Sequence, residues 1–217
     1  MRKTKAQHFY TGTTLLVLFG IWTHLIQTVD VQPAGEAATS IGFATFNCWF
    51  HTLTGVHIGI YTLTDWLGLV PVFVCLLFGL LGLSQLVKRK HLWKVDSDLL
   101  LLGGYYVLVI MSYLLFEKHP INYRPILIEG RIEASYPSST TLLVLSVIPT
   151  LIFQIQCRIN SRTVRRGIVW GAMLFSLFMV VGRLVSGVHW FTDIVGSVLL
   201  SAGLFQLYKA TVLCCKK

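Results

Sequence analysis

A succession of long apolar runs is the feature that most constrains this chain. The runs lie at about residues 12–29, 66–87, 98–116, 141–157, 167–182 and 191–213. Each is near the roughly 20 residues that a helix needs to cross about 30 Å of hydrocarbon. Because 54% of the 217 residues are apolar and only 12% are charged, little chain remains for a soluble domain. The sequence predicts an all-α integral membrane protein, a six-transmembrane-helix bundle that forms one domain over residues 1–217.

The basic residues indicate how such a bundle is oriented. Of the eighteen lysines and arginines, fourteen fall at one end of a six-span arrangement, and the positive-inside rule makes that end cytoplasmic. We expect a multi-pass protein of the cell membrane with both termini and the loops around Arg89 and Arg162 inside, and His119 and Tyr136 outside. The net charge of +9 follows these loops, so it does not indicate nucleic-acid binding. The fourteen are Arg2, Lys3, Lys5, Lys88, Arg89, Lys90, Lys94, Arg158, Arg162, Arg165, Arg166, Lys209, Lys216 and Lys217.

The other four cations, Lys118, Arg124, Arg131 and Arg183, fall at the opposite end, where topology alone does not favour them. A binding role is therefore favoured over plain solvated charge. The first apolar run is interpreted as an uncleaved anchor, because it is long enough to span and no secreted domain follows it.

The cysteines and histidines predict no metal site. No pair has the Cys-x-x-Cys spacing, and no cysteine has a metal-type spacing with a histidine. We interpret the cysteines as small apolar side chains, with lipidation of Cys214 or Cys215 left open. The histidines at 24, 51 and 57 are interpreted as incidental polar positions, since a zinc site there would need a third ligand.

An aromatic segment separates the first two apolar runs. Phe43, Phe46, Trp49, Phe50 and Leu53 recur at helical spacing. This pattern predicts an interfacial helix on the outer leaflet. The helix either guides a lipid tail towards a site or, the simpler interpretation, anchors the chain through its aromatic residues.

Three ionisable residues stand between apolar runs near the end of the chain. They are Arg183, His189 and Asp193, and such groups are costly near a bilayer and mark a functional site. If the segment from His189 onward is helical, its i,i+4 spacing lets Asp193 accept a hydrogen bond from the imidazole and fix its tautomer. The free ring nitrogen is then a nucleophile or base, and the arginine offers a planar fork of donors for phosphate oxygens.

Two further polar clusters are predicted at the same face. In the first, residues 117–125, prolines end the preceding helix, so that Lys118 and Arg124 can turn towards a common anion. In the second, residues 135–141, hydroxyls and free backbone N–H groups at a helix start suit a phosphate. An ordinary helix N-cap at Ser138 or Ser139 is the competing interpretation.

In their order along the chain, the three clusters resemble the signature of the type 2 phosphatidic acid phosphatase family: Lys-x6-Arg-Pro, Pro-Ser-Gly-His and Ser-Arg-x5-His-x3-Asp. Arg183-x5-His189-x3-Asp193 matches the third motif, with Gly182 in place of the leading serine. The first motif is similar to Lys118-x5-Arg124-Pro125, which is one residue shorter. The second is similar to the tetrapeptide Pro137-Ser138-Ser139-Thr140, with serine for glycine and threonine for histidine. The resemblance covers about residues 98–210.

The resemblance implies a membrane-integral lipid phosphatase, similar to undecaprenyl-diphosphatases, with six spans and an active site at the extracytoplasmic face. It implies that His189 is the nucleophile that takes the phosphoryl group and that Asp193 orients it. The phosphate oxygens would be held by cationic and hydroxyl side chains, and neither a metal nor another cofactor is expected. Those side chains are Lys118, Arg124, Arg183, Ser138 and Ser139.

Thr140 is the main departure from the family pattern, because the family's second-motif histidine protonates the leaving oxygen and a hydroxyl is a poor acid near neutral pH. Three interpretations stay open. The protein is inactivated and only binds lipid phosphate; a nearby group such as His119 replaces the acid; or the substrate needs little acid catalysis. A lipid diphosphate fits the last, since its leaving group is a phosphate monoester rather than an alkoxide.

The sequence thus predicts a phosphatase that hydrolyses a lipid diphosphate or monophosphate through a phosphohistidine intermediate. A polyprenyl diphosphate is the favoured substrate, and Thr140 occupies the catalytic position of the second motif. The expected partners are the lipid phosphate and the surrounding membrane lipids, with no nucleic acid. The alternative is a catalytically impaired family member that binds phospholipid or a partner without turnover.

Overall fold

The computed structural model describes residues 2–215, with side chains from Lys5 onward. The predicted inside positions of Lys216 and Lys217, and of the side chains of Arg2 and Lys3, lie outside the described residues. Two short strands, β1 (Gln32–Ala34) and β2 (Thr39–Ile41), pair antiparallel. The helices are α1 (Arg2–Thr28), α2 (Ala44–Thr54), α3 (Ile58–Leu67), α4 (Leu69–Arg89), α5 (Ser97–Lys118), α6 (Ser139–Arg158), α7 (Arg162–Val185) and α8 (Phe191–Cys215).

The predicted six-span architecture is confirmed. Among the described residues, six helical segments are long and apolar enough to cross a membrane. The second of them begins at Ile58, about two turns of helix before the predicted start near residue 66, because α3 and α4 run on as one span with a break at Gly68. The sequence prediction began late because α3 carries Thr64 and Asp65, which interrupt the apolar pattern.

Helices α6 and α8 form the centre of the bundle. Helix α8 packs along α1, α5 and α6, and α6 also packs against α7 and α4. Leu102, Leu142 and Leu200 from three of these helices are buried in the main hydrophobic core. The outer helices α4 and α7 leave large apolar side chains exposed, among them Phe73 and Leu177. This distribution is the one expected where lipid rather than water surrounds the bundle.

The aromatic segment after the β1–β2 hairpin is helical, as predicted. Helix α2 buries Ala44 and Asn47 against the bundle and exposes Phe46, Trp49 and Leu53. The Asn47 side chain donates to the carbonyl of Gly42 and to the hydroxyl of Thr192 at the start of α8. One face of α2 is therefore fixed to the bundle while its aromatic face points away from it.

The two ends of the bundle differ in charge. At the end that carries most basic residues, Arg158 lies 2.9 Å from Asp98 and 3.3 Å from Asp96, and Arg89 lies 2.9 Å from Asp96. A hydrogen bond from Gln85, together with both guanidinium groups, lowers the pKa of Asp96. This ion-pair cluster joins the α4–α5 connection to the end of α6, and the three polar motifs lie at the opposite end of the bundle.

Candidate active site

His189 lies in the turn between α7 and α8, not inside a helix. Helix α8 begins at Phe191, so the premise of a helix running from His189 onward is wrong. The turn is tight because Gly187 has φ +71° and a Cβ there would lie 2.3 Å from the carbonyl oxygen of Gly55. The ring of His51 is 3.0 Å from the Gly187 carbonyl oxygen. Close contact with the α2–α3 connection thus sets the position of the histidine.

The hydrogen bonds of His189 identify its tautomer. Its Nδ1 is 3.1 Å from the carbonyl oxygen of Ser135, whereas the nearest oxygen of Asp193 is 3.8 Å away. Because a carbonyl oxygen only accepts, Nδ1 carries the proton and Nε2 keeps its lone pair. The sequence prediction gave this bond to Asp193. It goes instead to the backbone before α6, because His189 lies in the turn and not one helical turn below the carboxylate.

Asp193 makes its hydrogen bonds to the surrounding chain and not to the imidazole of His189. It is fully buried, and its two carboxylate oxygens accept from the backbone N–H of Trp190 at 2.9 Å and from the side-chain amide of Asn122 at 3.1 Å. Its backbone carbonyl accepts from the hydroxyl of Ser197 at 2.9 Å. The carboxylate connects the His189 turn to the segment after α5 and stays close enough to stabilise positive charge on the ring.

Arg183 faces the lone pair of His189. Its Nη2 lies 3.4 Å from His189 Nε2, and its Nη1 lies 3.6 Å from the carboxylate of Asp65. The arginine side chain is 1% exposed, and its Nε has no hydrogen-bond partner. The ring of Tyr61 lies 4.9 Å from the guanidinium carbon, within cation–π range. A buried cation with a partner-free N–H and long contacts has donors to offer an anion.

Arg124 approaches the same place from the segment after α5. Its guanidinium lies 5.7 Å from the Tyr61 ring, and its Nε is 3.1 Å from a carboxylate oxygen of Glu133. Its Nη1 is buried without a hydrogen bond. Burial, together with the charges of Arg124 and Arg183, lowers the pKa of His189 well below its ordinary value. The imidazole is therefore neutral at neutral pH, and its lone pair faces cationic donors.

The three hydroxyl residues at the start of α6, Ser138, Ser139 and Thr140, lie in different environments. Ser138 is buried, its hydroxyl donates to Thr141, and its backbone N–H lies 3.4 Å from the carbonyl of Asp193. Ser138 is the N-cap residue by position but makes no side-chain cap bond. Ser139 faces a polar cavity of about 280 Å³ that Arg124 also lines, and it shares a second, apolar cavity of about 290 Å³ with Thr140.

Two residues of the first predicted motif, Lys118 and His119, do not contact Arg183 or His189. Lys118 and His119 are exposed at the end of α5, and the Lys118 side chain makes no hydrogen bond or ion pair within the described part of the chain. The structure thus brings together Arg124, Arg183 and His189, with an Asp193 carboxylate oxygen 3.8 Å from the imidazole Nδ1, and leaves Lys118 exposed at the end of α5.

Sequence reasoning missed four residues of the site. Ser135 contributes only a backbone carbonyl, and Asn122 contributes a buried side-chain amide from the segment after α5. Tyr61 and Asp65 come from α3. Asp65 was detectable, because a carboxylate beside an apolar run is costly and marks a functional position. The other three carry no comparable signal. No cluster of three or more His, Cys, Asp or Glu suited to a metal ion occurs in residues that the structure describes.

The segment that contains Arg124, Arg183, His189 and Asp193 also matches the model of a known protein family. The model of the PAP2 superfamily matches residues 99–213, which is more than half of the chain. The chain therefore belongs to the PAP2 superfamily, which confirms the family resemblance of its three motifs. It is a membrane-integral hydrolase, a lipid phosphatase of the PAP2 type.

A solved structure is similar over nearly the whole chain. It is described as the first transmembrane PAP2-type phosphatidylglycerolphosphate phosphatase, from Bacillus subtilis, and it matches with a TM-score of 0.69 at 18% identity. The match covers 96% of this chain and 98% of that one. At this identity the similarity shows the fold, the six-helix transmembrane bundle that the sequence predicts. The chain has no match among curated proteins.

Proposed function

We propose that this protein hydrolyses lipid diphosphates and monophosphates at the extracytoplasmic face through a phosphohistidine intermediate, with a polyprenyl diphosphate as the favoured substrate. The observation that carries the proposal is the state of His189. Its Nδ1–H donates to the Ser135 carbonyl, and its Nε2 lone pair faces Arg183. A buried neutral imidazole aimed at a cation suits nucleophilic attack on a phosphorus atom whose oxygens that cation binds.

The roles of the other residues follow from their positions. Arg183 and Arg124 bind the phosphoryl oxygens and stabilise the charge that spreads over them in the transition state. Attack by Nε2 leaves the ring with both nitrogens substituted and a positive charge. Asp193, with its oxygen 3.8 Å from Nδ1, stabilises that charge. Asn122 and the Trp190 N–H keep the carboxylate in place.

The substrate preference rests on the leaving group. Thr140 stands where the family motif has its histidine, and a threonine hydroxyl does not serve as an acid near neutral pH. A lipid diphosphate expels a phosphate monoester, which needs a proton less than an alkoxide does. The apolar cavity that Thr140 shares with Leu69, Ile110 and Leu143 borders this position and suits a hydrocarbon chain.

The proposed face of the membrane rests on charge. Lys88, Arg89, Arg158 and Arg162 lie at the end of the bundle opposite His189. Since loops rich in lysine and arginine stay in the cytoplasm, the site opens outside, with both termini inside.

Trapping the covalent intermediate tests the mechanism. Purified protein is given a lipid diphosphate labelled in its terminal phosphate, quenched in denaturant, and examined for alkali-stable phosphohistidine. We expect label in the wild-type protein and none in His189→Ala, which also loses turnover. His24→Gln, which changes an exposed histidine on α1, is the matched control and keeps both. Normal turnover by a folded His189→Ala protein contradicts the phosphohistidine route.

A catalytically impaired family member is the second candidate, and Thr140 is the specific observation in its favour. Phosphate release from a panel of lipid diphosphates and monophosphates separates the two candidates. Release from diphosphates supports the enzyme. Saturable binding of these lipids without release from any of them identifies the impaired member.

A further inference from the structure

Helix α3 contributes a side of the site that the family match does not cover. The match begins at residue 99, whereas α3 spans Ile58–Leu67. Three residues on its inner side contact the buried arginine: the Tyr61 ring, the hydroxyl of Thr64 at 3.5 Å and the carboxylate of Asp65 at 3.6 Å. Among the described residues, Asp65 is the acidic partner of Arg183.

The contact between Asp65 and Arg183 is long, and its two partners differ greatly in burial. A charge-assisted N–H···O⁻ bond has a length of about 2.7–2.9 Å, so 3.6 Å is an ion pair rather than a tight hydrogen bond. The arginine is 1% exposed, but the Asp65 side chain is 58% exposed. A phosphate that binds the arginine can therefore displace the carboxylate without opening the core.

The guanidinium group of Arg183 lies between Asp65 and His189, so a phosphate bound to it has one of these residues on each side. Its Nη1 faces Asp65 and its Nη2 faces His189 Nε2. A phosphoryl group bound to both N–H groups, the usual bidentate geometry of arginine, has the imidazole on one side. Its leaving oxygen, which lies opposite the attacking nitrogen in an in-line displacement, then lies on the side of Asp65.

Asp65 also borders the position of the missing histidine. Asp65, Thr140, Ser139 and Gly68 line the same apolar cavity of about 290 Å³. A Cβ placed on Gly68 would lie 2.8 Å from the Asp65 carbonyl oxygen and 3.4 Å from the Thr140 methyl group, which shows how closely the end of α3 approaches the start of α6. The cavity that suits the lipid chain therefore has a carboxyl group at its polar end.

We propose that Asp65 is the proton donor to the leaving oxygen, the role that Thr140 cannot fill, and that it extends the activity to lipid monophosphates. The inference rests on the proposed phosphatase function. When phosphate replaces it at Arg183, the carboxylate loses its counter-ion and faces an anion, and proton uptake relieves that repulsion.

The proton and electron pairs balance over two steps. In the first, the Nε2 lone pair of His189 forms a bond to phosphorus, the bond from phosphorus to the leaving oxygen breaks, and the Asp65 carboxyl gives its proton to that oxygen. In the second, a water oxygen bonds to phosphorus, the phosphorus–nitrogen pair returns to Nε2, and the Asp65 carboxylate takes the water proton. The net reaction is hydrolysis, and both residues regain their starting states.

Comparing leaving groups tests this role. We expect Asp65→Asn to lower kcat on phosphatidic acid, which loses an alkoxide, by about 10²-fold or more, the usual contribution of general acid catalysis. On p-nitrophenyl phosphate and farnesyl diphosphate, whose leaving groups are weaker bases, the loss is less than about 10-fold. Asp65→Glu, which keeps the carboxyl group, restores most of the phosphatidic acid activity. Glu129→Gln removes an exposed carboxylate of the loop after α5 and serves as the charge control.

A double variant supplies the second measurement. Thr140→His places an imidazole at the second-motif position, so in the Asp65→Asn background it should recover phosphatidic acid hydrolysis while changing the other two rates little. An equal loss on all three substrates in Asp65→Asn overturns the donor role and indicates that Asp65 only positions Arg183. A wild-type protein that releases phosphate from none of the three overturns the phosphatase proposal, and the role of Asp65 with it.

Discussion

An imidazole is a nucleophile only while one ring nitrogen is unprotonated, and two features of the site keep His189 in that state. Burial and the charges of Arg124 and Arg183 lower its pKa well below the ordinary value of 6.5. The Ser135 carbonyl, which accepts from Nδ1–H, acts weakly in the other direction and decides which of the two nitrogens carries the proton. In the proposed mechanism, the arginines that bind the phosphate thus also keep Nε2 of His189 unprotonated.

The pH dependence of kcat/KM should report this coupling. Activity needs the neutral imidazole, so it is lost as pH falls through the pKa of His189, and a lowered pKa moves this acid limb below pH 6.5. Replacing Arg124 by glutamine removes one cause of the lowering and leaves Glu133 uncompensated, so the limb moves to higher pH. Arg131→Gln, which removes an exposed cation of the same loop, should leave the limb in place. An unmoved limb in Arg124→Gln contradicts the electrostatic account.

Replacing Asp193 by asparagine should affect both stability and rate. One carboxylate oxygen becomes an NH₂ group that faces either the Trp190 N–H or the Asn122 amide, so a buried hydrogen bond is lost. This loss costs about 1–3 kcal/mol and should lower the thermal unfolding temperature. The rate falls too, but by less than the about 10⁴-fold seen where a carboxylate bonds directly to a catalytic histidine, because Ser135 holds the tautomer here. A loss of 10⁴-fold or more in a stable protein would favour a direct bond.

At this scale the sequence predicted which side chains come together better than it predicted the hydrogen bonds that they make. The spacing of Arg183, His189 and Asp193 correctly brought the three side chains together. It did not give the hydrogen bond of the imidazole, because a backbone carbonyl such as that of Ser135 leaves no trace in residue type. Asp65 was visible as a charge near an apolar run, but its partner depends on how α3 packs against α7.

That packing of α3 against α7 explains why glycine replaces the leading serine of the third motif. A Cβ at Gly182 would lie 2.7 Å from the Thr64 Cγ2. Thr64 in turn lies beside the buried guanidinium of Arg183. The departure from the family pattern is therefore coupled to α3, which lies outside the matched residues 99–213.

A double-mutant cycle should reveal this coupling. Gly182→Ser overpacks the contact and should destabilise the protein by about 1–3 kcal/mol. Thr64→Ser removes the crowding methyl group but keeps the hydroxyl, so it should recover most of that loss when combined with Gly182→Ser. Unfolding in mixed detergent measures the four free energies of the cycle. Strictly additive changes would show that the two side chains do not meet.

Element boundaries were predictable where apolar runs are uniform and failed where they are interrupted. The spans α5, α6 and α8 begin within two residues of the predicted runs. The predicted second span begins late, because Thr64 and Asp65 interrupt the apolar pattern of α3. The helical spacing of aromatic residues in α2 was sufficient to predict that helix, because its exposed face needs no knowledge of its partner.

For the whole molecule, alternating helix directions place the predicted motifs together. The end of α5 and the starts of α6 and α8 meet at one end of the bundle, and the Ser197 hydroxyl, which donates to the carbonyls of Ser138 and Asp193, joins the last two. The opposite end holds the cluster of Arg89, Asp96 and Arg158. The basic cluster and the candidate active site are therefore separated by the length of the spans, so the orientation of the bundle decides on which side of the membrane the proposed site lies.

Cysteine labelling in intact cells tests that orientation. The five cysteines, at positions 48, 75, 157, 214 and 215, are first replaced by serine or alanine. A single cysteine is then placed at His119, exposed at the end of α5 on the site's side, or at Trp93, which is 82% exposed beside the basic loop. Because the basic end is expected inside, a membrane-impermeant maleimide should label position 119 in intact cells and position 93 only after permeabilisation. The reverse pattern would place the active site in the cytoplasm and would make a cytoplasmic lipid phosphate the substrate, whereas the catalytic roles of His189 and Arg183 would stand unchanged.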